Sequence, residues 1–261
     1  MNPLYPGGPG RYSLRSGGVT KSLVWVTGAS SGIGAALVAS QPWPGARVLG
    51  TSRRPPPPPA EHLAADLADP ASWSTVGAAF AAAVARERPE RVVLFHAAGT
   101  LHPIGFADRV DPAAYTANVL LNSAAPQVLG QAFLAATTAV PQRHLVQVTS
   151  GAARTPYPGW SSYGAAKAAV DQWVRTVGAE DDAAARGIHV LAVAPGTVDT
   201  AMQADLRAAT EAAFPRRQKF EDLHRDGQLA DPTHVARRMW QLLDEDLPSG
   251  SVVDLRDLRS H

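Results

Sequence analysis

Leu23-Val-Trp-Val26 runs directly into Thr27-Gly28-Ala29-Ser30-Ser31-Gly32-Ile33-Gly34, and Ala35-Ala-Leu-Val-Ala39 follows with helical character. A short uninterrupted apolar run reads as a strand buried on both faces, as strands of a parallel sheet are. Each glycine of the turn has a separate use. Gly28 permits a tight reversal, Gly32 lets the main chain approach a pyrophosphate, and Gly34 lets the helix pack on the strand. With Ser30, Ser31 and Ile33 between them, they lead into a helix N-terminus whose free N–H groups and partial positive charge favour phosphate. Strand, glycine turn and helix together predict a dinucleotide-binding fold.

The next strand supports this. Arg47-Val-Leu-Gly50 closes at Thr51-Ser52-Arg53-Arg54, where an acidic residue would hold a ribose 2′-hydroxyl and arginine a 2′-phosphate. Arg53 and Arg54 therefore point to NADP(H). Pro55 to Pro59 form a stiff surface loop. His62-Leu-Ala-Ala-Asp66-Leu67 reads as a third strand whose Asp66 can reach an adenine amino group. A helix over 70–88, with Asp69 as cap, leads to the strand Arg91-Val-Val-Leu-Phe95. His96-Ala97-Ala98-Gly99 then offers small residues, Ala98 and Gly99, for close approach to a ligand. A long helical region over 111–139 contains Asn118 and Asn122. Asparagine is a poor helix former, so Asn118 is read either as surface-exposed or as bonded to main chain or water at a kink, and Asn122 could equally be the exposed one.

The chemistry concentrates after the fifth strand. Ser150 ends the run His144-Leu-Val-Gln-Val-Thr149, at the sheet edge where open α/β folds bind ligands. Tyr163 and Lys167 are four apart on a predicted helix and share a face, so the ammonium is expected to lower the phenol's pKa. A hydroxyl beside an activated phenol is equipment for a carbonyl or alcohol oxygen. A sixth strand over 188–194 ends in Pro195-Gly196-Thr197-Val198-Asp199-Thr200, able to present main-chain groups to a ring amide. Residues 201–230 read as a mobile lid, polar and irregular between helical pieces, and a seventh strand closes the domain.

Bulk properties exclude other classes. A chain of 261 residues with net charge +1 fits one α/β domain with no basic field for nucleic acid. Zero cysteines exclude disulfides and suit a reducing, cytoplasmic compartment. The apolar run near Ala78 to Ala85 falls far short of the ~20 residues of a membrane span, so no membrane partner is expected. None of the eight histidines pairs at metal-ligand spacing, and no metal is expected. The glycine- and proline-rich residues 1–20 read as a flexible tail before the domain at 21–261. Alternating elements predict a Rossmann-type doubly wound sheet of about seven mainly parallel strands with helices on both faces.

In this order, the glycine turn, Asp66, Asn118, Ser150, Tyr163-x-x-x-Lys167 and Pro195-Gly196-x-Val198-x-Thr200 resemble the short-chain dehydrogenases/reductases over about residues 21–256. The resemblance implies that Tyr163 is the general acid, that Lys167 tunes it and holds the nicotinamide ribose, and that Ser150 holds the substrate oxygen. It implies that Asn118 anchors a relay water, that Val198 and Thr200 fix the carboxamide, and that the chain forms a homodimer or homotetramer through 111–139 and 161–185. His96-Ala97 departs from the family's paired asparagines. Gly99-Thr-Leu-His-Pro-Ile-Gly105, Ser150-Gly-Ala-Ala-Arg-Thr-Pro-Tyr-Pro-Gly-Trp160 and Ala194-Pro-Gly-Thr-Val-Asp-Thr-Ala-Met-Gln203 are most similar to the sepiapterin reductase-like and benzil reductase subgroup. That similarity implies NADPH-dependent reduction of one carbonyl of a small diketone, with Pro156, Tyr157, Trp160 and Met202 lining an apolar pocket. The alternatives are a ketoacyl-thioester reductase and a non-catalytic NADP-binding sensor.

Overall fold

The expected apolar runs all become strands: β1 (Ser22–Thr27), β2 (Arg47–Ser52), β3 (Glu61–Ala64), β4 (Arg91–His96), β5 (Gln142–Val148), β6 (Ile188–Ala194) and β7 (Ser251–Asp254). The structure, a computed structural model, describes residues 21–258, so the tail expected over 1–20 lies outside the described residues. Every pairing is parallel, in the order β3-β2-β1-β4-β5-β6-β7. The winding reverses between β1 and β4, which opens a crevice at their carboxyl ends.

Among the described residues, eight α-helices cover the sheet: α1 (Gly32–Ala39), α2 (Ala71–Glu87), α3 (Pro112–Val119), α4 (Ala125–Ala136), α5 (Ser161–Ala184), α6 (Ala201–Ala208), α7 (Arg217–Arg225) and α8 (Pro232–Gln241). Alternate residues of a strand face opposite sides. Leu23, Trp25 and Leu94 pack under α2, α4 and α5 with Phe80, Phe133 and Val174. Val24, Val26 and Phe95 pack under α1 and α8 with Leu37, Val235 and Trp240. Trp25, Phe80 and Phe133 form a fully buried stack with centroids 4.4 and 5.6 Å apart. Truncating any one to alanine removes about 3–5 kcal/mol. Asp111 and Asp231 cap their helices by accepting from the Ala114 and His234 N–H groups at 2.8 and 2.9 Å.

Two local features differ from expectation. The longer uncharged stretch runs from Pro112 to Gln142, not near Ala78 to Ala85. Its helical part, Pro112–Ala136, is long and apolar enough to cross a membrane by length and composition alone. Here Ala125, Leu129 and Phe133 join the core, and Asn118 and Asn122 are both fully buried, so Asn122 is not exposed. The proline loop folds back on the sheet, and a Cβ on Gly50 would come within 2.8 Å of the Pro56 ring. Residues 201–230 hold two helical pieces, α6 and α7, with irregular segments between and after them. They bury Leu206, Phe214 and Phe220 against Tyr157, Trp160 and Tyr163.

The 24-residue α5 is locked to the sheet far from its first turn. A Cβ on Gly178 would lie 2.4 Å from the Gly250 Cα, before β7, so glycine alone fits.

His96 and His144 are held neutral, each with its pKa pushed down to about 3, chiefly by burial. Because the folded value lies below the unfolded one, this stability is complete above about pH 6.5 and lost as pH falls toward 3. Each group contributes a slope of about 1.4 kcal/mol per pH unit across that window. Denaturant melts between pH 7 and pH 4.5 should show stability falling with acidification. His96→Asn and His144→Gln should each flatten that fall, and slopes equal to wild type in both would refute the assignment.

Candidate active site

Ser150, Tyr163 and Lys167 converge on one cavity, lined also by Gly99 after β4 and by Pro195 and Gly196 after β6. Ser150 opens a short 3₁₀ turn and accepts from the Ala152 N–H at 3.2 Å. The Ser150 hydroxyl also lies near enough to the Tyr163 phenol to favour its ionised form. One turn along α5, the Lys167 ammonium donates to the Val148 carbonyl at 2.8 Å. Both Tyr163 and Lys167 are buried. Burial raises the phenol's pKa, opposed by the Ser150 hydroxyl, and lowers the ammonium's to about 8, opposed by Asp171. The anticipated lowering of the phenol by Lys167 does not dominate here. Lys167 Nζ sits 5.8 Å from the centre of the Tyr163 ring, and its hydrogen bond goes to the strand end. Asp171, one turn further, accepts from the Thr149 hydroxyl and makes a second tie between β5 and α5.

The two asparagines have different places. Asn118 donates to the His102 and Thr100 carbonyls at 2.7 and 3.3 Å, and so holds the loop after β4. Asn122 lies in a π-helical turn, Leu120–Ala124, between α3 and α4. It clamps Thr100 from both sides, accepting from its N–H at 3.1 Å and donating to its carbonyl at 2.9 Å. A Cβ on Gly99 would lie 2.8 Å from Asn122 Oδ1 and 3.8 Å from Lys167 Nζ, so Asn122 borders the lysine. The kink belongs to Asn122, and its cause is legible: Pro126, four residues on, has no N–H for the Asn122 carbonyl and crowds it.

The cofactor side is built for close approach. A Cβ on Gly34 would lie 2.2 Å from the Gly28 carbonyl oxygen, and one on Gly28 would lie 2.7 Å from the Ala98 nitrogen. Ser31 makes no side-chain cap on α1, which leaves first-turn N–H groups for an anion. Ser30 belongs to the same turn, and Ile33 lines the cavity. Arg53 and Arg54 are exposed beyond β2, and neither forms an ion pair among the described residues. Asp66, after β3, accepts from the Ala68 N–H at 3.0 Å through one oxygen and leaves the other free. Across the cavity, Gly196 takes φ +80°, and the Thr200 hydroxyl donates to the Val198 carbonyl at 3.4 Å. The Thr200 methyl would stand 3.2 Å from a Cβ on Gly32, so the two loops face each other. Gly-lined floor, free helix N-terminus and unpaired arginines fit a phosphorylated dinucleotide. Buried His96, in the family's asparagine position, has neither ring nitrogen hydrogen-bonded among the described residues.

Tyr157, Trp160 and Met202 line the cavity. Pro156 does not; it lines a neighbouring groove with Thr155 and Pro158. Sequence reasoning missed Phe220, Lys219, Gln203 and Arg256, which all line the cavity. Arg256 reaches the cavity through strand register: Ala194 pairs with Asp254, so residues just past β7 meet Pro195 and Gly196.

Known proteins agree with this geometry. Residues 22–211 match the family model for short chain dehydrogenases. The chain is 28% identical to a benzil reductase ((S)-benzoin forming) of Bacillus subtilis over 236 residues, covering 89% of this chain and 97% of that one. It is 30% identical to a sepiapterin reductase of Meriones unguiculatus, covering 94% and 100%. A short chain dehydrogenase/reductase structure from Saccharomyces cerevisiae superposes with TM-score 0.79 at 24% identity, covering 90% and 96%. The chain belongs to the short-chain dehydrogenase family of oxidoreductases.

Proposed function

We propose that this enzyme is an NADPH-dependent carbonyl reductase that converts one carbonyl of a small ketone or diketone, benzil-like or related, to a hydroxyketone or secondary alcohol. The observation that carries it is the convergence of Ser150, Tyr163 and Lys167 on the wall of one cavity. Bound NADPH supplies the hydride. Ser150 Oγ holds the carbonyl oxygen, and Tyr163 Oη gives that oxygen its proton. Burial favours the protonated phenol at neutral pH, the form an acid needs. Lys167, charged below about pH 8, stabilises the phenolate that remains and holds the ribose. Asn122, bordering Lys167, is better placed than Asn118 to position a water that returns the proton. Gly28, Gly32 and Gly34 admit the pyrophosphate, Asp66 takes the adenine, and Val198 and Thr200 hold the carboxamide.

Steady-state NADPH oxidation with diketones, ketoacyl thioesters and pterins tests the reaction. Diketones should be turned over best, and Tyr163→Phe should lose about a hundredfold or more in kcat while retaining NADPH binding. Turnover of ketoacyl thioesters alone, or substantial activity in Tyr163→Phe, would overturn the reading.

Cofactor choice rests on Arg53 and Arg54. Arg53→Ala should raise KM for NADPH about tenfold or more and change KM for NADH little. Equal changes would remove the 2′-phosphate from this site.

The exposed Val119 and Val128 lie on the α3–α4 rod and support a homodimer or homotetramer through that face and α5. Sedimentation should show a dimer or larger that Val119→Asp with Val128→Asp dissociates; a monomeric wild type would refute it.

A further inference from the structure

The cavity's lining carries cations and no acid among the described residues. Lys219 and Arg256 line it together with Lys167, and Asp254 answers Arg256 from behind the wall. Lys219, on α7, donates to the Tyr157 hydroxyl at 3.3 Å and has no carboxylate partner among the described residues. Arg216, just before α7, lies over the same tyrosine ring, 5.4 Å from its centre, and is likewise without a carboxylate partner. Arg256 is held by Asp254 through Nε and Nη2 at 2.8 and 2.6 Å, which fixes its fork and leaves Nη1 uncommitted. That fork sits beside the reacting groups. A Cβ on Gly151, next to Ser150, would lie 3.6 Å from Arg256 Nη2, and one on Gly196 would lie 3.2 Å from its Cδ. Trp160 adds a buried indole N–H with no partner among the described residues. These are donors and cations around an aromatic wall of Tyr157, Trp160 and Phe220.

Such a lining leaves an anion's charge answered and a neutral substrate's donors unused. A donor-rich heterocycle such as a pterin finds no carboxylate there to accept its N–H groups. A docking face for an acidic carrier protein is a weaker use of these cations. Arg217, paired with Glu221 at 3.2 Å, is outside the cavity lining, whereas Arg256 lies within it and cannot present an outer face.

We propose that the substrate is a keto acid: an aromatic or apolar ketone whose carboxylate, a few bonds from the reducible carbonyl, is received by Lys219 and Arg256. This deepens the carbonyl-reductase reading and rests on it. It names Lys219 and Arg256 as specificity residues, with Arg256 nearer the carbonyl and Lys219 nearer the lid.

The test compares each acid with its own neutral ester: benzoylformate against methyl benzoylformate, and 3-benzoylpropionate against its methyl ester. With the full chain and NADPH at low salt, at least one acid should exceed its ester in kcat/KM by about fivefold or more. That ratio should shrink in high KCl, and shrink again in Lys219→Gln and in Arg256→Lys. Esters equal to or better than both acids, or a ratio indifferent to both substitutions, would overturn the proposal. Calorimetric titration of the same four compounds into the NADP⁺-loaded protein reads the anion preference without turnover, since both partners are then oxidised. Neutral diketones reduced well with no acid preference would sink the anion subsite alone. No reduction of any ketone, with acids still bound more tightly than esters, would sink the reductase reading and leave the subsite standing.

Discussion

The contact on which the site depends is the buried Lys167 ammonium donating to the Val148 carbonyl. A strand's last carbonyls lose their ladder partners where the sheet ends, and a buried ammonium loses its water. Each group answers the other's need. The Thr149–Asp171 bond repeats the tie one turn along the helix. Together they set the position of α5 against the end of β5, and so the distance between the Ser150 hydroxyl and the Tyr163 phenol. A buried lysine is expensive to hold as a cation, which is why its pKa falls to about 8 even with Asp171 near. The same expense makes the group responsive to what enters the cavity.

Much of this was legible in the chain. The apolar runs and the glycine turn of residues 28–34 are local signals, because they follow from what one strand and one turn require. Ser150, Tyr163 and Lys167 were readable for the same reason: a strand end and a helical spacing of four place them. The asparagines were harder. Helix propensity marks Asn118 and Asn122 alike, and only Pro126, by denying an N–H to the Asn122 carbonyl, distinguishes them. Its effect is a π turn, which periodicity does not show.

Contacts between distant segments were out of reach. Lys219 and Arg256 meet the Ser150 loop because α7 folds back over Tyr157 and because β7 lies beside β6. Pro156 and Tyr157 are sequence neighbours, yet they face different cavities. The uncharged rod over 112–136 carries a composition that reads equally as membrane span, core helix or subunit interface. Composition measures how much apolar surface must be covered, not what covers it.

The Gly178–Gly250 contact gives α5 the character of a lever. Fifteen residues of helix separate Gly178 from Tyr163, a rise of about 22 Å. Adding a methyl group at the far end must move one backbone away from the other, and a rigid rod converts that displacement into tilt. A tilt of only a few degrees over such a length moves the phenol by about an ångström, enough to misalign a proton transfer. The reacting geometry is thus specified in part at a point where no substrate or cofactor ever arrives.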